Sequence, residues 1–148
     1  MDVNIQIKTV QSALDDPGVT PETVETNAVG TYRRDDEGDK LCYDEPEESG
    51  LGKCRTTVVV ADDGVVTVRR SGKTRSQMVL ECGQKHDCVY HTEVMPFTIA
   101  AEGISEKHGG GAGMPFRLEL VYDLYVNGKK AFRNEMTVVA SSIRQVKI

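Results

Sequence analysis

Residues 116–141 read "FRLELVYDLYVNGKKAFRNEMTVVAS", and their periodicity decides the fold. Leu118, Leu120, Tyr122, Leu124 and Val126 alternate with Arg117, Glu119, Val121, Asp123 and Tyr125. A period of two puts the first set on one face of a strand and the second on the other. Asn127-Gly128 then supplies the residue pair that a type I′ turn needs, because both central positions require φ > 0. Beyond it, Phe132, Met136 and Val138 return in phase. The stretch is a β-hairpin with one apolar face.

The rest of the chain repeats this grammar. Val3, Ile5 and Ile7 alternate with polar neighbours, "LDDPGVTP" has the chemistry of a turn, and Val24, Thr26, Ala28 and Tyr32 share a face of the returning strand. "KLCYDE" is a short strand, and "CRTTVVVADDGVVTVRR" folds back at Asp63-Gly64. Turns at Ser71-Gly72-Lys73 and Gly83-Gln84-Lys85 flank "TRSQMVLEC" and introduce "HDCVYHTE". In "MPFTIAAEGI", Phe97, Ile99 and Ala101 share a face, and the composition of "SEKHGGGAGMP" predicts a flexible loop. No stretch has a 3.6-residue period. The expectation is an all-β protein with a single antiparallel meander β-barrel of about 8–10 strands over one domain, residues 1–148, since barrel closure removes exposed sheet edges.

Composition narrows the function classes. A net charge of −5 argues against a surface built to neutralise nucleic-acid phosphates. No apolar run approaches the roughly 20 residues that span a bilayer, and the first residues lack the pattern of a secretory signal. A cytoplasmic protein is expected, with Cys42, Cys54, Cys82 and Cys88 as reduced thiols.

Several motifs approach known chemistry and stop short. The acidic run from Asp35 to Glu48 lacks the order of a calcium loop and reads as a solvated loop around an edge strand. "TVRRSGKT" has Thr67 where a phosphate-binding loop needs its first glycine, and a strand follows where that loop needs a helix. His108-Gly109-Gly110-Gly111 resembles an esterase oxyanion loop in a chain without G-x-S-x-G. Cys82, His86, Cys88 and His91 have the ligand types of a zinc site, but strand alternation opposes Cys88 to His91. His86 and Cys88 share a face, although strand-borne cysteines are mostly inert core residues. Arg69, Arg70, Lys73 and Arg75 gather at one hairpin tip, where the acidic run offers them partners. No metal or cofactor is called for, and the balance leans against an enzyme.

The segment "GKTRSQMVLECGQKHDCVYHT" carries Gly72, Ser76, Gln77, Met78, Val79, Glu81, Gly83, His86, Tyr90 and Thr92 in a pattern that resembles the YwiB-like family of uncharacterised bacterial proteins. "VNIQIK" and "LELVYDLYVNG" extend the resemblance over nearly the whole chain. It implies a calycin-like barrel, akin to lipocalins and fatty-acid-binding proteins, and implies nothing about activity. Cys82, Cys88 and "HGGGAG" depart from the pattern.

A barrel of this size holds at most one small ligand among its inward side chains. Counting parity along each strand, the expected lining is Thr67, Arg69, Ser76, Met78, Leu80, Tyr90, Leu118, Tyr122 and Met136. The candidate contacts to an amphipathic or anionic molecule are Arg69, Ser76, Met78, His86, Tyr90 and Tyr122. The polar members also have a structural reading, satisfying backbone groups at turns and barrel mouth. The alternative function is a protein-interaction or homodimerising module without a small ligand, because Val121 and Tyr125 fall on the outer face.

Overall fold

The computed structural model describes residues 1–47, 51–111 and 114–143. Ten strands follow one another: β1 (Asp2–Ala13), β2 (Glu22–Asp35), β3 (Gly38–Asp44), β4 (Cys54–Val60), β5 (Val66–Gly72), β6 (Ser76–Leu80), β7 (Lys85–Tyr90), β8 (Phe97–Gly111), β9 (Met114–Val126) and β10 (Lys129–Ser142). They form one antiparallel sheet in the order β6-β5-β4-β3-β2-β1-β10-β9-β8-β7. Pairing of β1 with β10 turns the meander back on itself, so the two sheet ends are β6 and β7, neighbours in the chain. The architecture is a nearly closed barrel, as the strand pattern predicts, and is consistent with the calycin-like form that the family resemblance implies. No helix among the described residues is long and apolar enough to cross a membrane.

Closure depends on contacts at both ends of the β6–β7 seam. Arg75 and His91 exchange a pair of 2.8 Å backbone hydrogen bonds at one end. At the other, Cys82 bridges across to Gly103 of β8. A Cβ on Gly103 would lie 2.7 Å from the carbonyl carbon of Glu81 and 2.8 Å from the amide nitrogen of Cys82. Only glycine lets the backbones approach this closely.

The Asn127-Gly128 turn has the predicted geometry, with φ of 53° and 77°. The glycine-rich segment does not form the expected flexible loop. Strand β8 continues to Gly111, and Ser105, His108 and Gly109 pair with Val121, Leu118 and Arg117. A long partner strand satisfies the backbone of these residues, which composition alone does not register. Ala112 and Gly113 of that segment, and Glu48 of the acidic run, lie outside the described residues.

Packing divides the interior along the barrel axis. Val3, Ile5, Leu41, Val60, Val66, Phe116, Leu118 and Ala140 are almost wholly buried and fill one half. Burial of each of the larger of these side chains is worth about 1.5–3 kcal/mol. Toward the other half the inward positions become half-buried and polar. That half holds the candidate site.

Candidate functional site

Register assembles the site. Tyr43 of β3 pairs with Thr56 of β4, Thr56 with Arg70 of β5, and Arg70 with Ser76 of β6. Paired residues in a sheet point to the same face, so these four form a polar belt on the inner wall. The Arg75–His91 bridge continues the belt across the seam to Tyr90.

One step deeper, Val58, Val68 and Met78 make an apolar floor. Ile7, Thr9, Tyr122, Met136 and Val138 supply much of the opposite wall. Together with Tyr43, Glu45, Arg70 and Tyr90 they enclose a cavity of about 200 Å³. A cavity of ~150 Å³ in another protein accommodates benzene, so this volume suits a compact molecule.

Charges in the belt are balanced. Glu45, just past β3, has only 4% of its side chain exposed, against 20% for Arg70. Its Oε1 accepts a hydrogen bond from the Thr56 hydroxyl at 2.5 Å and lies 3.8 Å from Arg70 Nε. That separation gives an ion pair too long for a hydrogen bond. Among the described residues, Arg70 Nε and Ser76 Oγ are buried without a hydrogen-bond partner.

The phenols are held neutral. Burial, reinforced by the Glu45 charge, pushes Tyr43 up. Burial also raises Tyr90, although Arg70 and Ser76 approach its hydroxyl and pull in the opposite direction. Burial pushes Tyr122 up to about 12. At neutral pH all three therefore act as hydrogen-bonding groups rather than as bases or nucleophiles. Cys88, buried on β7, has its thiol pushed up by burial, which disfavours the reactive thiolate.

Of the expected contacts, Met78, Tyr90 and Tyr122 line the cavity, and Ser76 sits beside Arg70 in the belt. Arg69 does not belong there. It lies on the outer face with 46% of its side chain exposed, 3.5 Å from Glu37. Thr67 shares that outward phase, because β5 turns Val66, Val68 and Arg70 inward. In "VVTVRR", β-branched residues and arginines occupy both parities, so alternation there has no phase of its own.

His86 is in phase with Cys88 and Tyr90 but stands at the far end of β7, where its Nε2 is 2.9 Å from Glu81 Oε1. Leu80 and Met136 line the cavity as expected, whereas Leu118 packs in the solid half. Thr56, Tyr43, Glu45 and Arg70 were missed as site residues. The hairpin closes over three residues, Asp62-Asp63-Gly64, with Ala61 bonded to Val65 and Gly64 at φ 92°, and this pairs Val58 with Val68 and Thr56 with Arg70; counting from Asp63-Gly64 as a two-residue turn pairs Val58 with Arg69 instead and hides the inward arginine.

The hairpin-tip arginines are dispersed. Glu37 takes Arg69, Glu45 takes Arg70, and Lys73 lies 3.4 Å from Glu93. Thus the acidic run neutralises part of the tip within the molecule. All four cysteines are free thiols. Among the described residues no three His, Cys, Asp or Glu side chains gather as a metal site would require. On the outer face, Tyr125 donates to Glu102 at 3.1 Å, and the ammonium groups of Lys85 and Lys130 stand 4.7 and 5.8 Å from its ring centre. Its own neighbours cover this ring.

The family model described as "Domain of unknown function (DUF1934)" matches residues 5–138. No curated protein matches the chain. Among solved structures, the crystal structure of ywiB protein from Bacillus subtilis superposes with a TM-score of 0.81 at 22% sequence identity, covering 97% of this chain and 92% of that one. At that identity the likeness shows a shared fold.

Proposed function

The chain belongs to the DUF1934 family of unknown function, and from that premise we propose that it is a single-domain cytoplasmic binding protein for one small amphipathic molecule, held inside the barrel. The supporting observation is the pairing of an apolar floor with a buried polar belt in which Arg70 Nε and Ser76 Oγ lack hydrogen-bond partners among the described residues. Buried polar groups in folded proteins are nearly always hydrogen-bonded, and a ligand polar group placed between these two would satisfy them. Four free thiols accord with a reducing compartment.

Binding, rather than catalysis, fits the chemistry of the cavity. Among the described residues its three phenols are neutral and its one carboxylate is engaged by Thr56 and Arg70. Native mass spectrometry of freshly purified protein tests the reading. The expected result is a non-covalent adduct that is lost on denaturation and absent from Arg70→Met. An adduct of equal occupancy in that variant would place the ligand elsewhere and defeat the proposal.

A further inference from the structure

The belt contains enough information to specify the head group it would accept. Glu45 has Thr56 as a hydrogen-bond donor, Tyr43 against it, and the Arg70 charge at 3.8 Å. Among the described residues Arg70 has a counter-ion but no acceptor for its Nε hydrogen, and Ser76 Oγ has no hydrogen-bond partner. Among the described residues, these two atoms lack a bonded acceptor rather than a charge: the Tyr90 hydroxyl approaches Arg70 and Ser76 but completes a bond to neither buried atom.

A carboxylate placed against Arg70 would bring a second buried anion close to Glu45. In a poorly solvated cavity that repulsion and the loss of hydration offset the attraction of one guanidinium. A carbonyl oxygen accepts the same hydrogen bonds without adding charge. Resting on the interior-site reading above, we infer that the cavity selects an uncharged amphiphile with a carbonyl head, its oxygen placed toward Arg70 Nε and Ser76 Oγ and its short apolar chain over Val68, Met78 and Met136.

The pair hexanamide and hexanoate tests this, since the two share chain length and shape and differ in charge. Titration is followed through the methyl signals of Met78 and Met136, both on the cavity wall. The expected result is that both signals move, with hexanamide binding at least about ten-fold tighter than hexanoate. Glu45→Gln leaves Arg70 uncompensated and should reverse the order in favour of hexanoate. A companion variant, Thr56→Val, removes a donor to Glu45 while keeping both charges and the side-chain shape. It should retain the preference for hexanamide, which provides a second reading if Glu45→Gln does not fold.

Tighter binding of hexanoate to the unaltered protein would overturn the inference while leaving an interior site intact. If neither probe moves the Met78 and Met136 signals, the interior-site reading fails together with it.

Discussion

Around Leu41, Phe116 and Leu118 the barrel is solid, whereas around Arg70, Tyr90 and Tyr122 the same strands enclose a cavity. The difference arises within individual strands. Along β3, Leu41 gives way to Tyr43; along β4, Val58 gives way to Thr56; along β5, Val68 gives way to Arg70. Each replacement is two residues along one face, and together they convert a packed wall into a polar belt. Strand geometry is constant while inward chemistry changes, so the packed core and the proposed binding site fall at different ends of one sheet.

The largest effect that would sharpen this contrast is expected in the solid half. Phe116→Ala removes a ring that is 1% exposed and stacked on Tyr32, and should cost about 3–5 kcal/mol in urea unfolding. Met136→Ala, half-buried beside the cavity, should cost less than half of that. Equal losses would erase the distinction between the halves. At the seam, Gly103→Ala forces a methyl group into the backbone of Glu81 and Cys82 and should cost about 2–3 kcal/mol by overpacking.

Smaller effects probe the belt. Arg70→Met leaves Glu45 buried without its counter-charge and should lower stability by about 1–2 kcal/mol, while the double variant Arg70→Met/Glu45→Leu should recover most of that loss. A double variant no better than the single one would show that the pair is not coupled. The smallest effect near neutral pH is that of the tyrosines. Tyr32, which is half-buried and donates to Asp39, and Tyr122 both have folded-state pKa values raised to about 12, burial being the main cause in each. The unfolded value is about 10, so this stabilisation is fully present below about pH 10 and is lost as pH rises toward about 12. The urea midpoint should fall across that window, and absorbance at 295 nm should show late-ionising tyrosines. Ionisation complete by pH 11 in the folded protein would contradict their burial.

Much of the fold was legible because alternation and turn chemistry are local signals. Asn127-Gly128 and Asp63-Gly64 each fixed a hairpin, and the apolar phases of β1, β2 and β9 needed nothing more. Closure was less accessible, since the role of Gly103 depends on β6 crossing to β8, a contact between residues distant in the sequence. The cavity was legible only where phase was unambiguous. Met78, Tyr90 and Tyr122 lie in strands with clear alternation, whereas adjacent arginines on β5 hid which one turns inward. Glu45 was legible only as one member of the acidic run facing the hairpin-tip arginines, because which arginine it meets is set by the pairing of β3, β4 and β5. In the glycine-rich part of β8, composition pointed to a loop and the partner strand β9 prevailed.

The central claim is that the polar half of the barrel interior is a ligand site. It is tested most directly by recording methyl spectra of methionine-labelled protein during titration with hexanamide. Met78 and Met136 line the cavity, while Met1 and Met95 are exposed. The account predicts saturable shifts of Met78 and Met136 with Met1 and Met95 unmoved, and loss of those shifts in Arg70→Met. Shifts confined to Met1 or Met95, or shifts of Met78 and Met136 that survive in Arg70→Met, would contradict it.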